Sequence, residues 1–439
     1  GEPTAVPPPV AKAPTTPPTA LPYPGVGAGR TPAVPPSAGA YPDPATRPPA
    51  ATPAPTDAPL PLFPVTPLPT RTPLPAQNEP SGPPPEDLAT LLYAVSTGDT
   101  AEVWALSLDT AARVRGRALV ASGTTNDWFY NLLLNPSGTR AAADMYYWRG
   151  GPGVASIVDL ERGTVEPIER EGTLVSGSPI GWEGGGDLLL FAEPSPGGPA
   201  EGWALFRVDL ASGEFQEIDL TPPGYNFGSR GGAAPDPAGR RLVYAWNWRE
   251  QPSLQDHADL WILDLETGEQ TPIGSVDGAA GLFSWSPDGT RIALAIGTAG
   301  TCFTSQLAIL DIGAGEMRVI GSAEGWPSFA WSPDGARIAF LRHDHDAGFE
   351  SEWGSMGVNV YLLDVTSGSV RRLTNLEGMS LASVTWLPGG ESLVLSATDL
   401  RDGAAPPEIW LLDVAIGEMH ALARAVQRRS PLAWLPSGD

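Results

Sequence analysis

The run His343-Asp-His-Asp346 is where imidazoles and carboxylates cluster in this chain. Alternating His and Asp can present two ligands to one side, and imidazole with carboxylate suits zinc or a similar metal. Asp344, Asp346, Glu350 and Glu352 would equally suit calcium, which takes oxygen ligands, but their spacing is not that of an EF-hand loop. A metal would need a third ligand from Glu350, Glu352 or a neighbouring segment such as Asp399. The competing reading is a solvated polar loop, and it is the one adopted. No cofactor is expected, and His343 and His345 are expected to make polar contacts on a binding face. Calcium or another divalent cation, held by His343, Asp344, His345, Asp346 and Glu350, stands as the alternative.

Aromatic and charged residues gather in similar stretches elsewhere. Tyr146, Tyr147, Trp148 and Arg149 form one group, and Trp246, Trp248, Arg249 and Glu250 another. Trp353 follows the His–Asp run, and Asp399, Arg401 and Asp402 make a fourth group. Trp128, Phe129, Tyr130, Tyr225, Phe227 and Arg230 lie in stretches read as connectors. Aromatics with a polar tip and arginine are the types enriched at binding hot spots. Some must be core, because alternate residues of a strand point to opposite faces. His257, beside Asp256 and Asp259, is expected to be solvent-exposed. Catalytic motifs are poor by comparison. There is no Gly-x-Ser-x-Gly elbow and no phosphate-binding glycine loop, so the chain is read as a non-enzyme. A metal-dependent, lyase-like enzyme using His343 and His345 is the enzymatic alternative.

What positions these residues is a repeat. Trp285-Ser-Pro-Asp-Gly-Thr-Arg291 and Trp331-Ser-Pro-Asp-Gly-Ala-Arg337 are near copies 46 positions apart. The Pro-x-Gly turn recurs at Pro136, Pro237, Pro287, Pro333, Pro388 and Pro436, with a degenerate copy at Gly184–Gly186. Trp precedes the turn by two residues at Trp182, Trp285, Trp331, Trp386 and Trp434. A second marker, an apolar run ending in Asp with Gly four residues on, occurs at Asp159, Asp209, Asp264, Asp311, Asp364 and Asp413. Asp109 opens the series with Arg113 in place of the glycine. Proline presets φ and glycine supplies positive φ, so both markers are hairpin chemistry. Four short strands per period of roughly 50 residues is the pattern of a propeller blade.

The phase of the two series predicts how the ends meet. The N-terminal piece supplies three strands (Leu91–Val95, Val103–Leu108, Val114–Ala121), and Pro431–Leu435 supplies the missing innermost one. The fold class expected is therefore all-β, a seven-bladed propeller over residues 87–439 closed by both ends of the domain in one blade. The strings Trp-Ser-Pro-Asp-Gly-x-Arg-Ile-Ala and Leu-Leu-Asp-x-x-x-Gly resemble the WD40-like repeat of the TolB propeller superfamily. That resemblance implies an extracytoplasmic binding platform or a propeller attached to a peptidase. It does not imply one ligand, because fold does not fix function.

Composition narrows the partners. Net charge is −24; residues 1–86 hold five acids and four bases, which leaves −23 for the remainder. That balance argues against nucleic acid and favours cationic partners or simple solubility. Arg outnumbers Lys 25 to one, which is read as compositional bias. A single cysteine, Cys302, makes no internal disulfide. No apolar run approaches the 18 residues of a membrane span.

Residues 1–86 contain 29 prolines and too little apolar pattern to build a core. They are expected to act as a semi-rigid polyproline stalk, with Thr-Pro pairs suited to O-glycosylation. The stalk resembles those of bacterial surface lipoproteins, so the protein is expected outside the cell or at its surface, either lipid-anchored upstream of Gly1 or freely secreted. The functional expectation is a binding or scaffolding module for protein, peptide or glycan. The structural alternative is a subunit of an extracellular assembly whose tail packs on its neighbours.

Overall fold

The structure, a computed structural model, describes residues 89–96, 100–109, 112–124, 128–146, 154–194, 203–222, 229–249, 256–297, 304–324, 328–343, 358–376, 379–399, 408–424 and 432–436. Among these residues every regular element is a β-strand. The expected stalk, residues 1–86, lies outside them.

One repeat shows how the markers work. Ala279–Trp285, Arg291–Gly297, Thr304–Asp311 and Glu316–Glu324 form one antiparallel sheet in chain order. The first hairpin closes where Gly289 N–H donates to Ser286 O at 2.8 Å and Arg291 N–H to Ser286 Oγ at 2.9 Å. Gly289 sits at φ 67°, a conformation that costs a residue with a Cβ roughly 1–2 kcal/mol. The outer hairpin closes where Gly315 N–H donates to Asp311 O at 2.9 Å and Ala314 N–H to Asp311 Oδ1, also at 2.9 Å. The degenerate copy at Asp109 makes a turn one residue shorter without glycine, closed where Ala112 N–H donates to Asp109 O at 2.7 Å. Ala112 takes φ 56° there, and Asp109 Oδ1 accepts the Arg113 N–H at 2.9 Å.

The chain repeats this unit as four-stranded antiparallel sheets. The innermost strands are Trp128–Leu134, Ser178–Glu183, Ser229–Pro235, Ala279–Trp285, Phe329–Trp331, Met379–Trp386 and Leu432–Trp434. Each neighbours the next in that order, and the last neighbours the first. The arrangement is nearly closed and consistent with a β-propeller. The two ends meet as the phase requires: Leu91 pairs with Trp434, Leu92 with Ala433 and Tyr93 with Leu432. An added latch, absent from the sequence reading, joins that sheet to the next, where Ser122 and Thr164 form a parallel bridge and Ser122 N–H donates to Gly163 O at 3.1 Å.

A second unforeseen element is a two-stranded hairpin, Glu169–Arg170 with Thr173–Leu174, inserted before Ser178. Its turn carries positive φ at Glu171 and Gly172. Its Arg170 lies 4.6 Å from the Phe206 ring and 4.0 Å from the Phe215 ring, and it pairs with Glu193.

The core is the set of interfaces between successive sheets, lined by side chains such as Val243, Ile292 and Leu294, all fully buried. The repeated tryptophan ties these interfaces. Four of the five indole N–H groups donate to a carbonyl of the preceding innermost strand: Trp182 to Leu133 at 2.9 Å, Trp285 to Ala234 at 3.0 Å, Trp331 to Ser284 at 3.1 Å and Trp386 to Ala330 at 3.0 Å. The repeated arginine completes the tie from the other side. Arg241, Arg291 and Arg337 lie over the rings of Trp285, Trp331 and Trp386, each in the next sheet, at 4.8, 5.5 and 4.9 Å. Each also donates to the turn glycine carbonyl of that sheet, at 3.0, 3.3 and 2.9 Å. Further out, Arg207, Arg318 and Arg371 donate to Leu265 O, Val365 O and Val414 O of the following sheet. A planar guanidinium can stack and donate at once and an ammonium cannot, so at these positions arginine has a structural use beyond compositional bias.

Candidate binding face

The topology gives the molecule two rims. The Pro-x-Gly and Asp-turn hairpins share one. Gly184 N–H donates to Gly239 O at 3.0 Å, and a methyl on Gly138 would stand 2.8 Å from Pro436 Cδ, so consecutive turns abut. The opposite rim is where the second strands end and the third begin, and three of the stretches singled out for chemistry have their described residues at such strand ends. Tyr146 is the last residue of Arg140–Tyr146, Trp248 and Arg249 end Arg241–Arg249, and His343 ends Arg337–His343. Tyr147, Trp148, Arg149, Asp344, His345, Asp346, Glu350, Trp353 and Arg401 lie outside the described residues. So does any metal site built from the His343–Glu350 stretch. Among the described residues no group of three His, Cys, Asp or Glu is placed to hold a metal ion.

Three expectations are corrected. Trp246 is 6% exposed and packs with Leu190, Tyr244, Trp261 and Leu263, so its side chain belongs to an interface between sheets and not to a binding surface. Strand alternation explains this: Leu242, Tyr244 and Trp246 share one face. His257 is buried, not solvent-exposed. It lies inside Asp256–Asp264 opposite Trp248 and Asp277, with Nδ1 3.0 Å from Asp277 Oδ1. Phe129, read as a connector residue, is in the strand Trp128–Leu134 and fully packed in the core.

The rim also holds polar groups that the sequence reading passed over. Asn247 Oδ1 accepts the Ala280 N–H of the next sheet at 3.2 Å. Asn359, fully buried, accepts from Leu376 N–H at 2.6 Å and Thr374 Oγ1–H at 2.9 Å, which fixes the start of one third strand against the chain leaving its sheet. Asp144 accepts from Ser178 Oγ–H of the next sheet at 2.7 Å. Burial pushes the Asp144 carboxyl above the usual carboxylate range, and the Ser178 hydroxyl offsets part of that rise. The only sequence signal for these groups is a polar residue within an otherwise apolar strand.

No protein-family model matches the chain, and the curated proteins contain no match. Among solved structures it is similar to a putative 6-phosphogluconolactonase from Bacteroides uniformis, with 13% identity over 80% of this chain and 100% of that one, at a TM-score of 0.50. It is also similar to TolB from Acinetobacter baumannii (14% identity, 81% and 69% covered, TM-score 0.44) and to an oligogalacturonate lyase in complex with manganese (18%, 77% and 84%, TM-score 0.47). At these identities the likeness is one of fold alone.

Proposed function

We propose that the chain is a seven-bladed propeller that serves as an extracytoplasmic binding or scaffolding module for protein, peptide or glycan, carried on a proline-rich stalk. The blade count rests on the seven innermost strands that succeed one another and return to the first. The observation that carries the function is the division between the rims. Tryptophan and arginine of the turn-rim repeat are committed to ties between sheets, whereas the strands that lead into three of the aromatic and charged stretches end at the other rim. Loops carried on a rigid scaffold are where binding residues are disproportionately placed. The module is proposed to act without catalysis. Peptide and glycan arrays probed with the full chain and with Trp148→Ala/Trp248→Ala/Trp353→Ala test this. Spots bound by the wild type and lost by the variant support it; arrays that the two proteins bind identically refute it.

A further inference from the structure

We propose that a cavity between the sheets of Trp128–Leu134 and Ser178–Glu183 takes the guanidinium of an arginine side chain on a partner protein or peptide. This is a second site, at the turn rim, and it stands apart from the loop-rim reading.

The repeat marks the place. Arg318 lies opposite Ile309 and Arg371 opposite Leu362, in each case the residue two before the marker aspartate. Each reaches into the following sheet and donates to the carbonyl of the residue after that sheet's marker aspartate, Val365 O and Val414 O. Between the two sheets of the cavity, register puts Glu166 at the arginine position, opposite Ile157, and the matching acceptor is Leu210 O. In the remaining sheets the position holds Gly116, Gln216, Thr271 and His420, so Glu166 is the acid of the series.

Open space stands where an arginine would lie. A cavity of about 240 Å³ is lined by Glu166, Leu210 and Gly213, and its wall continues into Ile168 and Glu169 at the start of the inserted hairpin. A methyl on Gly368 would stand 3.1 Å from Arg318 Nη1, whereas a methyl on Gly213, the matching turn glycine, would meet nothing within 4 Å. Glu166 and Gly213 are both exposed, so the cavity opens to solvent. No described residue donates to Leu210 O or pairs with Glu166.

The charge selects a cation. The lining carries four carboxylates against two arginines, a net of −2. Both arginines, Arg140 and Arg162, face one of those carboxylates, Asp159, at 4.0 and 3.7 Å, which leaves Glu166 unmatched. A guanidinium fork can reach a carbonyl and a carboxylate at once, and it is the group that the matching carbonyls take elsewhere in this chain.

The test is a saturation-transfer NMR titration of the full chain with N-acetyl-arginine amide, N-acetyl-lysine amide and the neutral isostere N-acetyl-citrulline amide. The wild type is expected to bind the arginine amide saturably, the lysine amide at least about threefold more weakly and the citrulline amide not at all. Glu166→Gln should raise Kd for the arginine amide at least about threefold, the effect of one partly screened ion pair, with an unchanged Tm because the side chain is exposed. Glu418→Gln removes an exposed acid of the sheet of Met379–Trp386 and should leave Kd unchanged. Glu166→Arg supplies the guanidinium from within, so it should abolish binding and unfold at a urea midpoint no lower than that of the wild type. The proposal is overturned by no saturable binding to the wild type, by equal affinity for the arginine and lysine amides, or by a Kd unmoved in Glu166→Gln. A Kd raised as much in Glu418→Gln, or binding retained or a urea midpoint lowered in Glu166→Arg, overturns it as well.

Discussion

Replacing Arg337 with lysine isolates the tie between successive sheets. Arg337 Nη2–H donates to Gly390 O at 2.9 Å while its guanidinium lies 4.9 Å from the Trp386 ring centre, and its side chain is 30% exposed. A charged hydrogen bond contributes about 1.5–3 kcal/mol and a cation over an exposed ring about 0.5–1 kcal/mol, and solvent screening lowers the sum. Lysine keeps the charge but cannot lie flat on the ring and reach the carbonyl together. Arg337→Lys is therefore expected to lose about 1–2 kcal/mol. Trp386→Phe removes the indole donor to Ala330 O, at a cost of about 0.5–1.5 kcal/mol. The double variant should lose about 0.5–1 kcal/mol less than the sum, because the two residues share one contact. Urea unfolding followed by far-ultraviolet circular dichroism measures all four proteins, with an unchanged m-value expected. Losses additive within about 0.3 kcal/mol would refute the claim that arginine and tryptophan act as one latch.

Three further outcomes follow from the same geometry. Gly315, at φ 66° with nothing within 4 Å of an added Cβ, should lose about 1–2 kcal/mol on substitution by alanine, while Gly389→Ala, equally open but without positive φ, should cost far less; equal urea midpoints would contradict this. Removing residues 430–439 takes away the strand paired with Leu91–Tyr93 and should lower Tm by roughly 5 °C or more and promote self-association, as read by calorimetry and light scattering. The Ser286 and Ser332 hydroxyls hold Asp288 and Asp334 below the usual carboxylate range. Their stabilisation is complete above the unfolded carboxylate value and is lost as pH falls through the folded one, so Ser332→Ala should move acid unfolding to higher pH, and an unmoved midpoint would count against that assignment.

The local parts of this fold are legible because turn chemistry is local. Ser286-Pro-Asp-Gly289 and Asp311 with Gly315 specify their hairpins within six residues, and periodic spacing then orders the sheets. What was not legible depends on partners far along the chain. Trp182, Trp285, Trp331 and Trp386 stand out in the sequence, but their bonds to carbonyls 47 to 56 residues earlier need the packed register. His257 and Trp246 looked like loop residues because polar and aromatic neighbours interrupt an apolar pattern, yet long strands carry them into the interfaces. The Glu169–Leu174 hairpin had one cue, Glu171-Gly172 between short polar runs, too brief to separate from a connector. Glu166 emerges as an exception only after register aligns it with Arg318 and Arg371.

The division between rims is tested most directly by one comparison of affinities. For the strongest array ligand, Kd is measured with the wild type, with Trp148→Ala/Trp248→Ala/Trp353→Ala, and with a turn-rim variant. The latter is Arg162→Ala/Glu266→Ala/Ile416→Ala, whose side chains are exposed and lie outside the Trp–Arg ties. The expected result is a loss of at least about tenfold, or 1.4 kcal/mol, in the first variant and wild-type affinity in the second. Full affinity in the loop-rim variant, or a loss confined to the turn-rim variant, would contradict the account.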